Sequence, residues 1–188
     1  MTRFDVYTPI TAPAGSQQML SEVQQAFGFL PNLYGVIAES PTALKAAISM
    51  GDAYRTGSLS AAEQQVVLLA VSVENRCEFC TAAHSFTARH IGKLPDADVQ
   101  ALRQGRNPAD SRLATLAHFT RLVVSRRGWV PEAELEAFLA VGYTRAQVIE
   151  VILGVAMKTL HNYIDHLAHT PLNPQFQPER WSPEQVAA

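Results

Sequence analysis

The residues with chemical potential in this chain of 188 are concentrated in Glu74-Asn75-Arg76-Cys77-Glu78-Phe79-Cys80-Thr81-Ala82-Ala83-His84-Ser85, which holds the only two cysteines and a histidine four residues beyond the second. Two thiols this close can cycle between dithiol and disulfide. A neighbouring imidazole or the N-terminal end of a helix favours the thiolate, the nucleophilic form of sulfur. The spacing predicts a helix from Thr81 to about Ile91 that stacks Cys77, Cys80 and His84 along one face, with the imidazole in reach of Cys80. Inert packing is the plainer alternative, since free cysteine often behaves as a small hydrophobe. Zinc is the sharper one, held by Cys77, Cys80 and His84 with a fourth ligand from His90, His161 or His166. A structural zinc site needs four ligands and the motif groups only three, so redox chemistry ranks first and no metal is expected. His161 and His166 lie about 140° apart around a helix and cannot face one site together. His166 shares a face with Asn162 and His161 with Asp165, which makes all four candidates for lining a site or for an ordinary polar helix end. Glu78 reads as solvated and Phe79 as packed.

Length and composition suit one domain, residues 1–188, able to bury a core without staples. A hydrophobic share of 47%, a charged share of 17% and a net charge of -2 describe a globular protein without the basic footprint of a nucleic-acid binder. The N-terminus lacks a secretory pattern and no apolar run has membrane-spanning length, so a cytoplasmic location is expected, with neither nucleic acid nor membrane as partner. In a reducing cytosol a close cysteine pair points to redox or metal chemistry rather than to a structural bridge.

The elements that position the motif read as helices. After an extended arm over about 1–15, Ser16 opens a helix to Phe27 with Gly28 as its stop, and Phe29-Leu30-Pro31-Asn32 forms a turn. Ser40-Pro41 starts a helix to about Tyr54 that buries Leu44, Ile48 and Gly51. Ser60-Ala61-Ala62-Glu63 has capping-box spacing and opens a helix to about Asn75 that is apolar on nearly every side, as expected at a domain centre. A short helix carries Val99 and Leu102, another starts at Asn107-Pro108 and stops at Gly128, and a third runs from Pro131 to Val141. Thr144-Arg145-Ala146-Gln147 opens the longest, to about His169, with Val148, Ile152, Val155, Leu160, Ile164 and Leu167 in its apolar stripe. The tail, about 171–188, reads as irregular with Trp181 as its anchor. Neither strand alternation nor a Gly-rich phosphate loop occurs, so the fold class is all-α, a bundle of seven or eight helices, and no cofactor is implied.

Leu59 through Ser85, read as Leu-Ser-x-x-Glu-x-x-Val-Val-x-Leu-Ala-Val-Ser-x-x-Asn-x-Cys-x-x-Cys-x-x-x-His-Ser, resembles the signature of the alkylhydroperoxidase D and carboxymuconolactone decarboxylase family, in its cysteine-bearing peroxidase-related branch. Gly28-Phe29-Leu30-Pro31-Asn32 and Asn162 resemble the same branch more loosely. The resemblance implies an antioxidant hydroperoxide reductase. Cys80 would attack the peroxide, Cys77 would resolve the sulfenic acid into a disulfide, and His84 would sit in the proton relay that makes the thiolate. It also implies an external dithiol reductant, lipoyl or thioredoxin-like, and a homo-oligomer, trimer or hexamer. The relay carboxylate of the family falls on Gln65, and an amide cannot exchange a proton at neutral pH. Glu74, Glu78 and Asp165 are the candidate replacements, Glu63 being turned away by about 200°. A redox sensor, a zinc-binding protein on the same scaffold and a lactone decarboxylase relative are the alternatives.

Overall fold

The computed structural model describes residues 4–186; residues 1–3 and 187–188, the ends of the expected arm and tail, lie outside it. The described chain is helical, in the order α1 Ala14–Phe27, α2 Asn32–Ile37, α3 Pro41–Arg55, α4 Ala61–Glu74, α5 Glu78–His90, α6 Asp96–Arg103, α7 Ser111–Ser125, α8 Glu132–Ala140 and α9 Arg145–Ala168, with 3₁₀ turns at Pro174–Glu179 and Pro183–Gln185. No single helix among the described residues is long and apolar enough to cross a membrane.

Capping explains most of the boundaries. Ser60 accepts from the Glu63 N–H while the Glu63 carboxylate accepts from the Ser60 N–H, and Thr144 with Gln147 repeats the device at α9. The Ser40 hydroxyl accepts from the Ala43 N–H, with Pro41 at the first helical position. The other starts differ from expectation. Ser16 caps nothing, because α1 begins two residues earlier and the buried Ser16 hydroxyl donates instead to the Ala38 carbonyl at 2.8 Å. Residues Asn32–Ile37 form a helix rather than a simple turn, too short for a periodic signal to reveal. Helix α7 starts at Ser111, where Asp110 accepts from the Leu113 N–H, not at Asn107-Pro108. The short α2 brings the α-helices among the described residues to nine, against the seven or eight expected.

Helix α4 is central: α5, α6, α7 and α9 all pack on it, which is why its middle, from Val66 to Val73, is apolar on nearly every side. Two clusters fill the interior. One surrounds α4, α7 and α9 and includes Phe138, stacked between Phe119 and Tyr143, and Trp181. The other gathers α1, α2, α3 and the start of α5, and contains Cys77, Cys80, Phe79 and Phe176. The arm lies along α2, where the Tyr7 N–H donates to the Gly35 carbonyl; a Cβ on Gly35 would stand 2.6 Å from the Tyr7 oxygen, so only glycine fits there.

Helix α9 meets the expected stripe in part: Val148, Val155 and Ile164 pack against the core, but Ile152 and Leu167 do not. Ile152 is 44% exposed and Leu167 61% exposed, with Ile149 and Tyr163 beside them on the outer side. The face pressed against α3 and α4 is instead Gln147, Val151, Gly154, Lys158, His161, Asn162 and Asp165. These recur at helical spacing, so they form one face in their own right.

The tail is short 3₁₀ structure rather than irregular chain, and Trp181 is buried with its indole N–H donating to the Arg103 carbonyl at 2.9 Å. Trp181→Phe keeps the ring bulk and leaves that carbonyl without its donor, so a stability loss of about 1–2 kcal/mol is expected in chemical denaturation. An unchanged midpoint would show that the indole bond does not hold the tail.

Candidate active site

The turn between α4 and α5 places the two thiols. Arg76 takes the left-handed conformation, φ 58°, and the Cys77 N–H reaches back to the Ser72 carbonyl at 2.9 Å, closing α4 in a Schellman-like turn. The residue that ends this turn also caps the next helix: the Cys77 sulfur accepts from the Cys80 N–H at 3.4 Å. Helix α5 therefore starts at Glu78, three residues before the expected Thr81, and Cys80 lies in its first turn. An ionised sulfur is favoured there by the unpaired N–H groups of the helix start. Both thiols are free and shielded from solvent.

Helix α9 supplies the other half of the site from Lys158, His161, Asn162 and Asp165, all buried. Asp165 Oδ2 stands 3.2 Å from the Cys77 sulfur and accepts its S–H, while Asp165 Oδ1 accepts from the Thr170 N–H. Asn162 Oδ1 accepts from Asn75 Nδ2 at 3.0 Å, which leaves the Asn162 amide NH₂ buried without a partner on the Cys80 side of the site, where it favours the thiolate. Asn75 thus sets the orientation of the Asn162 amide. Lys158 is 4% exposed, and its ammonium donates to His84 Nε2 at 2.8 Å and to His161 Nδ1 at 3.4 Å. Accepting at Nε2 leaves His84 with its proton on Nδ1, which donates to Gln65 Oε1 at 3.1 Å; the same oxygen accepts the Thr87 hydroxyl at 2.7 Å.

These contacts push the two sulfurs in opposite directions. Burial raises the Cys80 thiol and the Asp165 charge adds to the rise, but the neighbouring Cys77, the Lys158 charge and Asn162 outweigh both and bring Cys80 below its ordinary value. Burial raises Cys77 far above the thiol range, and the neighbouring Cys80 and Asp165 add to the rise. Burial, then the Lys158 charge, then His161 hold His84 well below the ordinary imidazole value; burial and Lys158 do the same to His161. Both rings are therefore neutral, and the cation beside Cys80 is an ammonium.

The expected residues divide accordingly. Cys77, Cys80, His84, Gln65, His161, Asn162 and Asp165 come together, whereas Glu74, Glu78 and His166 are exposed and face outward. Glu63 serves its capping box and meets Arg112 at 2.8 Å. The expected contact of His84 with Cys80 is replaced, since its nitrogens are engaged by Gln65 and Lys158. The rival zinc ligands are not assembled: His90 lies exposed against Phe86, and among the described residues no group of three His, Cys, Asp or Glu side chains could hold a metal ion. Lys158 was missed in the sequence. Its signal is a lysine at helical spacing from Asn162 and Asp165, hidden because the opposite face of α9 is the more apolar.

Comparison with known proteins bears on this arrangement. The sequence model of the carboxymuconolactone decarboxylase family matches residues 41–119, from the start of α3 into α7, the span that holds both cysteines and His84. No curated protein matches the chain. Among solved structures, the alkylhydroperoxidase AhpD core of an uncharacterized peroxidase-related protein from Ralstonia eutropha JMP134 superposes with a TM-score of 0.82 at 24% identity, covering 93% of this chain and 94% of that one. A peroxidase-related protein from Silicibacter sp. TM1040 gives 0.77 at 20% identity, covering 93% of each chain. A cysteine-to-alanine variant of the debrominase Bmp8, in complex with 2,3,4-tribromopyrrole, gives 0.77 at 13% identity, covering 95% of this chain and 97% of that one. These likenesses show the fold, and the family match falls on the segment that carries the dithiol. Over residues 41–119 the chain is similar to the carboxymuconolactone decarboxylase family, and along nearly its whole length it has the fold of the alkylhydroperoxidase D-like structures.

Proposed function

We propose that this protein is a thiol-dependent hydroperoxide reductase. The Cys80 thiolate attacks the terminal oxygen of the hydroperoxide; the S–O bond forms, the O–O bond breaks, and the alkoxide leaves as an alcohol with a proton from the Lys158 ammonium. Cys77 then attacks the Cys80 sulfenic acid, a disulfide closes and water departs. An external dithiol of the lipoyl or thioredoxin-like kind supplies two electrons and two protons to reopen it. The observation that carries this reading is the asymmetric placement of two free, adjacent sulfurs: Cys80 in the first turn of α5, and Cys77 capping that helix with its S–H on Asp165 at 3.2 Å. The names of the peroxidase-related structural neighbours point the same way.

His84 takes a different part from the family relay. It touches neither sulfur but holds the Lys158 ammonium, so it is a positioning residue, and the amide of Gln65 orients it without exchanging a proton. Gln65→Glu would set a carboxylate against His84 Nδ1–H and favour the imidazolium. The His84 titration, followed by the NMR signals of its ring C–H groups, is expected to move upward and to add a limb to the pH–rate profile. An unmoved titration would show that the amide does not keep the ring neutral.

The test of the function is turnover. With a hydroperoxide and dihydrolipoamide, the wild type should consume many equivalents of peroxide per chain. Consumption that stops after one equivalent would replace the enzyme by a sensor, and none at all would remove peroxide as the substrate.

A further inference from the structure

The hydroperoxide reading leaves one proton without a carrier. Before Cys77 can attack oxidised Cys80 it must lose its S–H, and this is the thiol that its surroundings hold protonated. Neither imidazole serves, because His84 and His161 are turned to the Lys158 ammonium. The group in contact is Asp165, 3.2 Å from the Cys77 sulfur.

Its placement has no adequate structural account. Asp165 lies in the last turn of α9, where exposed carbonyls disfavour a carboxylate, and it is nearly buried. The chain is nevertheless folded around it. The His169 N–H donates to the Asp165 carbonyl at 2.7 Å, His169 adopts φ 51°, and the next N–H, of Thr170, meets Oδ1 at 3.2 Å. This reversal clamps one carboxylate oxygen and leaves the other on the thiol.

We propose that Asp165 is the catalytic base of the resolving step, taking the Cys77 proton and passing it to the departing hydroxide. The Cys77 S–H bond breaks towards Oδ2, the new thiolate attacks the Cys80 sulfur, the S–S bond forms as the S–O bond breaks, and the hydroxide leaves as water with that same proton. Lys158 serves the first step and Asp165 the second, so one face of α9 manages both protons of the cycle. This rests on Cys80 attacking and Cys77 resolving, but not on peroxide being the oxidant.

Dipyridyl disulfide tests it without peroxide. Attack by Cys80 releases one equivalent of thiopyridone, and closure by Cys77 releases a second. In Asp165→Asn the first release is expected to be no slower than in wild type, since the lost charge is one that raises the Cys80 thiol, while the second slows by roughly a hundredfold, the scale of general base catalysis; Asp165→Glu, which keeps the carboxylate, should recover most of it. A second release as fast in Asp165→Asn as in wild type would overturn the proposal, and so would equal slowing of both releases or an Asp165→Glu variant as slow as Asp165→Asn. If Asp165→Asn does not fold, Asp165→Ser takes its place in the same comparison. Two normal releases in a wild type that consumes no peroxide would sink the peroxidase reading and leave the role of Asp165 intact.

Discussion

Cys80→Ser is expected to abolish hydroperoxide turnover, by on the order of a thousandfold or more, because an alcohol in the same place is almost wholly un-ionised at neutral pH and a far weaker nucleophile. Cys77→Ser should behave differently. Cys80 can still take one oxygen atom, so one equivalent of peroxide disappears, and the sulfenic acid then accumulates and can be trapped by dimedone and located by mass spectrometry. The asymmetry follows from the geometry: Cys80 has the helix start, the Asn162 amide and the Lys158 charge, whereas Cys77 faces a carboxylate. Equal turnover in Cys80→Ser and wild type would remove the nucleophile. Trapping of the sulfenic acid on Cys77 in Cys80→Ser would reverse the assignment.

Lys158→Met is expected to have the next largest effect. Methionine keeps the length and apolar bulk of the buried stem and removes only the ammonium. That ammonium lowers the Cys80 thiol, so its loss must raise it. At a pH below the thiol value each unit of rise lowers the thiolate fraction tenfold. Alkylation of Cys80 by iodoacetamide at neutral pH should therefore slow by roughly 10- to 100-fold, and the whole pH–rate curve should move to higher pH while its plateau is kept. His84 and His161 lose both their donor and the charge that helps keep them neutral, so their titrations should move upward in the same variant. An unchanged alkylation profile would show that burial and the helix start set the Cys80 thiol without the lysine.

Lysine at this position alters the pH logic of the site. The charge that favours the Cys80 thiolate comes from Lys158, while His84 and His161, both held below the ordinary imidazole value, supply acceptors rather than a cation. The Gln65 amide fits this arrangement, because a carboxylate there would favour protonation of His84 and set two cations against each other across 2.8 Å. Gln65 and Lys158 are thus two parts of one electrostatic solution, and exchanging either alone should disturb the other.

The general architecture was legible from local signals. Ser60-Ala61-Ala62-Glu63 and Thr144-Arg145-Ala146-Gln147 are complete capping boxes, and each opens a helix where its spacing says it should. Gly28 ends α1 in the left-handed conformation. Ser16 and Asn107-Pro108 misled because capping residue types also occur where tertiary hydrogen bonds claim them, as the Ala38 carbonyl claims Ser16.

By itself the amino-acid sequence determined an all-helical chain, a helix at its centre whose middle is apolar on nearly every side, and two thiols close enough to meet at the head of the next helix, because caps, periodicity and short spacings are properties of neighbouring residues. Which face of α9 turns inward was decided only by the tertiary structure. Periodicity weighs apolar area and includes Ile152 and Leu167, but the close approach of Gly154 to the Tyr54 ring and the bonds of Lys158, Asn162 and Asp165 around the thiol site rotate the buried face away from those two while Val148, Val155 and Ile164 stay packed. Buried polar groups stay inside where each meets a partner, and those partners come from α4 and α5, about eighty residues earlier in the chain.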